Sequence, residues 1–187
     1  MEQTTAPTGA VLTTAEVKTH LRITHSDDDS YIDALVATAT AAWESATGMQ
    51  LLTATWTDKL NNFPSYYRLN IRPFDSVTSV KYVDTDDTEQ TLSSDLYWID
   101  ESELTRSLVF RTDESLPNLG HYRNSVSIIF TAGYSSASDV PEDIKHCLKA
   151  MVGTMYENRE GEQPRQLFGQ WFGMGAMVAK YGGRSVW

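Results

Sequence analysis

The chain has one cysteine in 187 residues, Cys147, which excludes an internal disulfide and a cysteine-rich zinc site. No apolar run approaches the roughly 18–20 residues that a membrane-spanning helix requires. The opening MEQTTAPTGA has neither a basic n-region nor an apolar h-region, so no secretory signal is expected. Basic residues are in the minority, 15 Lys and Arg against 25 Asp and Glu, for a net charge of −10. A surface of that sign does not hold nucleic acid over its whole extent, because phosphate binding rests on Lys and Arg. Nucleotide and hydrolase motifs are missing: there is no P-loop, no dinucleotide fingerprint after a strand and no Gly-x-Ser-x-Gly elbow. The four histidines, His20, His25, His121 and His146, are scattered without a metal-ligand spacing.

What is present is an ordinary globular composition, 41% hydrophobic and 21% charged, with an uneven distribution. Residues 1–160 carry −12 and residues 161–187 carry +2. Six of the 11 glycines also fall in that last stretch, together with Phe168, Trp171, Phe172, Met174, Met177, Tyr181 and Trp187. Glycine-rich chain is costly to order by itself, and large apolar groups are poor company for a solvated linker. Two readings follow: a segment that folds onto a partner, or a hydrophobic flap on its own domain. Coupled folding and binding favours the first.

Leu12-Thr-Thr-Ala-Glu-Val17 has the form of a helix start, with Thr13 capping, Glu16 completing a capping box, and Leu12 and Val17 as a staple; this helix ends near Arg22. Ser26 is expected to open a second helix with Asp27, Asp28 and Asp29 in its first turn, at the positive end of the macrodipole. Ile32, Leu35, Val36, Ala39, Trp43 and Ala46 fall on one face, and Gly48 is a natural stop. From 51 to 135 short Thr-, Val-, Tyr- and Ile-rich runs predict strands at 51–60, 66–71, 77–83, 90–92, 97–99, 108–110 and 126–131, with a hairpin turn at Asp84–Asp87. Pro64, Pro73 and Pro117 interrupt them. A third helix is capped by Asp139 or Val140, carries Pro141, Glu142 and Asp143 in its first turn, and buries Ile144, Cys147, Leu148, Met151, Val152 and Met155. The fold class is α+β. The expected organisation is an N-terminal arm (1–10), a helical bundle core from both ends of the domain (11–50 and 136–160), an inserted antiparallel β module (51–135) and an extended C-terminal tail (161–187). The core positions are Val17, Leu21, Ile32, Leu35, Val36, Ala39, Trp43, Ile144, Leu148, Met151 and Met155.

Groups that could carry chemistry each have a plainer explanation. Asp27–Asp29 with Asp33 could hold a cation, but no calcium-loop glycine follows, and a charged helix start accounts for them. Glu101 and Glu103 read as solvated loop carboxylates rather than an acid–base pair. Cys147 lies on an apolar helix face, as a small buried hydrophobe. Gly173-Met174-Gly175 follows no strand and is not a phosphate loop. The tryptophans could form a sugar platform, yet Trp43 is core by periodicity, and Trp56 and Trp98 lie in strand candidates where core is the default. No catalytic residue, metal or cofactor is expected.

Three blocks carry a family resemblance. They are Leu12–Ile23 with His25–Val36 and Ala41–Gly48; Arg72-Pro-Phe-Asp-Ser-Val-Thr-Ser-Val-Lys-Tyr-Val-Asp84; and Phe130-Thr-Ala-Gly-Tyr134 with Val140–Lys145 and Tyr156–Glu160. In this order and spacing the chain resembles the head–tail connector (adaptor) family of tailed bacteriophages and gene transfer agents over about residues 11–160. The resemblance implies a structural virion protein and no enzyme. It implies assembly in the host cytoplasm into a neck ring, usually of twelve copies, below the portal. Such a ring extends the DNA channel, passes DNA without sequence-specific binding, and presents a platform to the next neck, stopper or tail protein; no membrane is involved. On this reading Arg165, Phe168, Trp171, Phe172, Met174, Met177, Tyr181, Arg184 and Trp187 form a portal-docking tail. The alternative is a β-bearing virion surface or carbohydrate-binding module.

Overall fold

The computed structural model describes residues 1–101, 106–111, 116–121, 123–159 and 174–181. The fold is mixed α+β, and the chain forms two compact units. One comprises Met1–Pro7 and Thr53–Gly133; the other comprises Thr8–Leu52 and the described part of Tyr134–Trp187.

The helical unit contains α1 (Thr14–Leu21), α2 (Asp29–Thr47), α3 (Glu142–Glu157) and α4 (Met174–Tyr181). The capping box opens α1: Thr13 Oγ1 accepts from Glu16 N at 3.2 Å, and Glu16 Oε2 accepts from Thr13 N at 2.8 Å. These bonds hold the Glu16 carboxyl below its usual range. Arg22 ends the helix at φ 59°, and Gly48 ends α2 at φ 67°, the left-handed geometry that glycine adopts without strain.

The start of α2 differs from expectation. Ser26–Asp29 form a turn, and helix begins at Asp29. Asp28 occupies the cap position without a side-chain cap bond, because Tyr156 and Arg159 take its carboxylate. The far end also differs: Ala46 is exposed and Thr47 is buried, with Thr47 Oγ1 donating to Trp43 O at 2.8 Å. At α3 neither expected cap serves. Pro141 flanks the helix without a cap bond, Asp139 accepts from Ser135 and Ser136, and Val140 is buried. The core holds Val17, Ile32, Leu35, Val36, Ala39, Trp43, Ile144, Cys147, Leu148, Met151 and Val152, with Leu21 and Met155 half-buried against it. Burial raises the Cys147 thiol pKa, as for an inert core cysteine.

The described residues of the β unit form eight strands: β1 (Glu2–Thr5), β2 (Ala54–Leu60), β3 (Tyr66–Arg68), β4 (Phe74–Val83), β5 (Glu89–Thr91), β6 (Tyr97–Asp100), β7 (Ser107–Phe110) and β8 (Val126–Ala132). They form a five-stranded sheet, β1-β2-β8-β4-β5, and a three-stranded sheet, β3-β7-β6, with every strand pair antiparallel. Val126, Ile128, Phe130 and Ala132 alternate inward along β8 and share a core with Leu108 and Phe110 of β7. The expected N-terminal arm is in part a strand: β1 pairs with β2, although all four of its residues are exposed. The run 51–60 begins its strand only at Ala54, because Leu51 and Leu52 belong to the helical core. The run 66–71 ends its strand at Arg68.

Candidate assembly interface

Two polar clusters hold the helical unit's C-terminal half: one ties the end of α3 to the start of α2, the other ties α4 to α3. At the end of α3, Arg159 donates to Asp28 at 2.9 Å, and the Tyr156 hydroxyl donates to the same carboxylate. The Arg159 guanidinium lies 4.7 Å from the Tyr31 ring centroid and 4.9 Å from that of Tyr156, within cation–π range of both, and the two rings are themselves 6.1 Å apart. The Tyr156 hydroxyl, and then Arg159, hold the Asp28 carboxyl below the usual carboxylate range. So Asp28, in an acidic run that could have suggested a cation site, anchors the last turn of α3. The described residues contain no group of three or more metal-ligating side chains.

The second cluster seats α4. Asp143, in the first turn of α3, accepts from Lys180 Nζ at 2.7 Å and from the Tyr181 hydroxyl at 2.9 Å. Lys180 above all, with Tyr181, holds the Asp143 carboxyl low. The Tyr181 ring lies 6.2 Å from that of Trp43, and Met177 packs on the same core. The Trp43 indole N–H is buried and has no hydrogen-bond partner among the described residues.

These contacts correct one expectation for the tail. Residues 174–181 are helical rather than extended, and Met177 and Tyr181 lie against their own unit. Met174 opens that helix. Arg165, Phe168, Trp171, Phe172, Arg184 and Trp187 lie outside the described residues, as does Glu103. Glu101 is exposed and lies 3.5 Å from Arg106.

Sequence reasoning also missed an exposed aromatic row in the β unit. Trp98, expected in the core, is 48% exposed, and Tyr66 is 58% exposed. Tyr66 on β3 and Trp98 on β6 both register against Val109 on β7. Alternation along 97–99 was the available signal: Tyr97 and Ile99 pack on the core, which turns Trp98 to the other face.

A family model described as "Head completion protein" matches residues 10–170. Among solved structures, the chain matches one from the neck of an empty GTA particle computed with C6 symmetry. The identity is 23%, the match covers 100% of this chain and 96% of that one, and the TM-score is 0.80. A chain from the virion of a native gene transfer agent particle matches at 23% identity over the same shares, with TM-score 0.79. One from the neck of a native GTA particle computed with C12 symmetry matches at 24% identity, again over 100% and 96%, with TM-score 0.74. No curated protein matches the chain.

Proposed function

The chain belongs to the head completion protein family, and from that premise we propose that it is a structural neck component, a connector ring seated below the portal of a tailed particle. The observation that carries this reading is the family match over residues 10–170, joined to a fold shared along the whole chain with proteins of GTA necks. The role is non-enzymatic. Copies of the chain form a closed ring, about twelve in number, that prolongs the DNA channel and offers its far side to the next neck or tail protein. The helical unit is the ring's mount, and the β unit is a module inserted into it.

Charge supports the channel role. Residues 1–160 carry −12, and a wall of that sign repels DNA phosphates instead of binding them, so DNA slides through. The basic, aromatic tail supports docking. Met177 and Tyr181 are engaged by their own core, which leaves Arg165, Phe168, Trp171, Phe172, Arg184 and Trp187 as the proposed portal anchors. Tyr, Trp and Arg dominate interface hot spots, each worth about 2 kcal/mol or more when central. Arg159, held beside Tyr31 and Tyr156 and bonded to Asp28, fixes the chain just before this tail.

The test is immobilised cognate portal protein with the full chain and with the chain ending at Glu160. The full chain binds and the shortened one loses binding at least about a hundredfold, the worth of one or two hot spots. Equal binding by both would remove the tail from the interface.

A further inference from the structure

The helical unit brings together two histidines that lie far apart in the sequence. His20 on α1 and His146 on α3 are both exposed, with ring centroids 5.8 Å apart and ring planes at 89°. The helices that carry them are firmly seated. Val17 of α1 and Ile144 and Leu148 of α3 are buried in one core. At Gly153 α3 has no side chain, and Leu21 Cδ2 lies 2.9 Å from where a Cβ would stand, so the two helices pack closely one residue on from His20. Neither imidazole has a hydrogen-bond partner among the described residues. Their ring nitrogens are unspent, and the neck role makes no use of them.

The spacing is that of two imidazoles on one metal ion. An ion bound by one nitrogen of each ring at about 2.0–2.1 Å lies about 3.2 Å from each ring centroid. Two such rings have centroids about 5.2 Å apart at the tetrahedral angle and about 6.4 Å apart when opposed. The observed 5.8 Å falls between these limits. Imidazole suits copper, zinc and nickel, whereas calcium and magnesium prefer oxygen. Charges near the pair on the two helices offset one another. Glu16 feels Lys149 and Lys145, Lys145 is paired with Glu142 at 2.9 Å, and Lys18 with Asp29 at 2.7 Å.

We propose that His20 and His146 form a two-histidine site for a borderline divalent cation, copper or zinc, that clips α1 to α3. The described residues contain no group of three ligating side chains, so water completes the coordination. Two imidazoles with open positions make an exchangeable site, unlike the closed four-ligand shell of a structural zinc. The bound ion stabilises the folded helical unit, because the unfolded chain does not hold the two rings together. None of this depends on the connector reading.

The experiment uses the full chain, stripped with chelator and titrated with copper(II) chloride or zinc chloride. One copper ion binds per chain, and its electron spin-echo spectrum shows two histidine nitrogens. Zinc displaces it and raises the melting temperature. His20→Gln and His146→Gln, each with an unchanged melting profile in chelator, weaken copper binding at least about tenfold and leave a one-imidazole spectrum. The double variant His25→Gln/His121→Gln binds as the wild type does. A second measurement needs no variant: zinc protects His20 and His146, and neither His25 nor His121, from diethyl pyrocarbonate. A one-imidazole spectrum in the wild type, or binding unchanged in either single variant, would overturn the proposal and leave a purely aromatic contact. Equal protection of all four histidines would overturn it as well, as an adventitious surface ion only.

Discussion

Arg159 and Asp28 are hydrogen-bonded at 2.9 Å across 131 positions of sequence, and the Arg159 guanidinium, beside the rings of Tyr31 and Tyr156, joins the end of α3 to the start of α2. A delocalised guanidinium suits this place, because it approaches two rings while donating to a carboxylate. Arg159→Lys is therefore expected to behave much like Arg159→Ala. Both speed amide exchange in the last turn of α3 and weaken portal binding, with the buried core unchanged. Full rescue by lysine would show that charge alone suffices.

Asp143 makes the seating of α4 dependent on pH. Its folded-state pKa is held below the ordinary carboxylate value, first by Lys180. The contact is therefore complete above that ordinary value and is lost as pH falls through the lowered one. Asp143→Asn should speed hydrogen exchange across 174–181 at neutral pH and leave α1–α3 protected. Unchanged protection of 174–181 in the variant would mean that Met177 and Tyr181 packing holds the helix without the carboxylate.

Glu44 runs in the other direction. Burial pushes its carboxyl up, against the opposing hydrogen bond from Leu51 N at 2.8 Å. An acid whose folded pKa is raised is stabilised when protonated, so its contribution declines as pH rises from the unfolded value through the raised one. Glu44→Gln keeps an acceptor for Leu51 N and for the Gln50 amide, and should match or exceed the wild type in melting temperature at pH 7. Glu44→Ala removes the acceptor from Leu51 N and should cost about 1–3 kcal/mol in denaturant unfolding.

A cavity and an overpacked turn test the two cores separately. Trp43 is 1% exposed, and Trp43→Ala should cost about 3–5 kcal/mol in the helical unit. At Gly120 a Cβ would sit 2.6 Å from the backbone oxygen of Asp84. Gly120→Ala therefore forces the backbone apart and should cost about 1–3 kcal/mol in the β unit. Two unfolding transitions, each moved by one variant alone, would show that the units are also separate in stability.

Most of the helical unit was legible because its signals are local. A Thr13–Glu16 box, a 3.6-residue stripe through Ile32, Leu35, Val36, Ala39 and Trp43, and a glycine stop at Gly48 each act within a few turns. Apart from Trp98, the departures are non-local. Asp28 looks like a helix-start carboxylate until Arg159 takes it. The strand β1, Glu-Gln-Thr-Thr, has no apolar residue to announce it and exists through pairing with β2. Trp98 was assigned inward by residue type, although its place between Tyr97 and Ile99 put it outward. The helical state of 174–181 depends on Asp143 and Trp43, distant in sequence.

The central claim is a ring that forms on the portal and is held there by the tail. Mass photometry of the full chain mixed with cognate portal, beside the chain truncated after Glu160, tests it most directly. The account predicts a portal complex heavier by a full ring of about twelve copies with the intact chain, and portal alone with the truncated one. A full chain that remains monomeric beside unoccupied portal would contradict it.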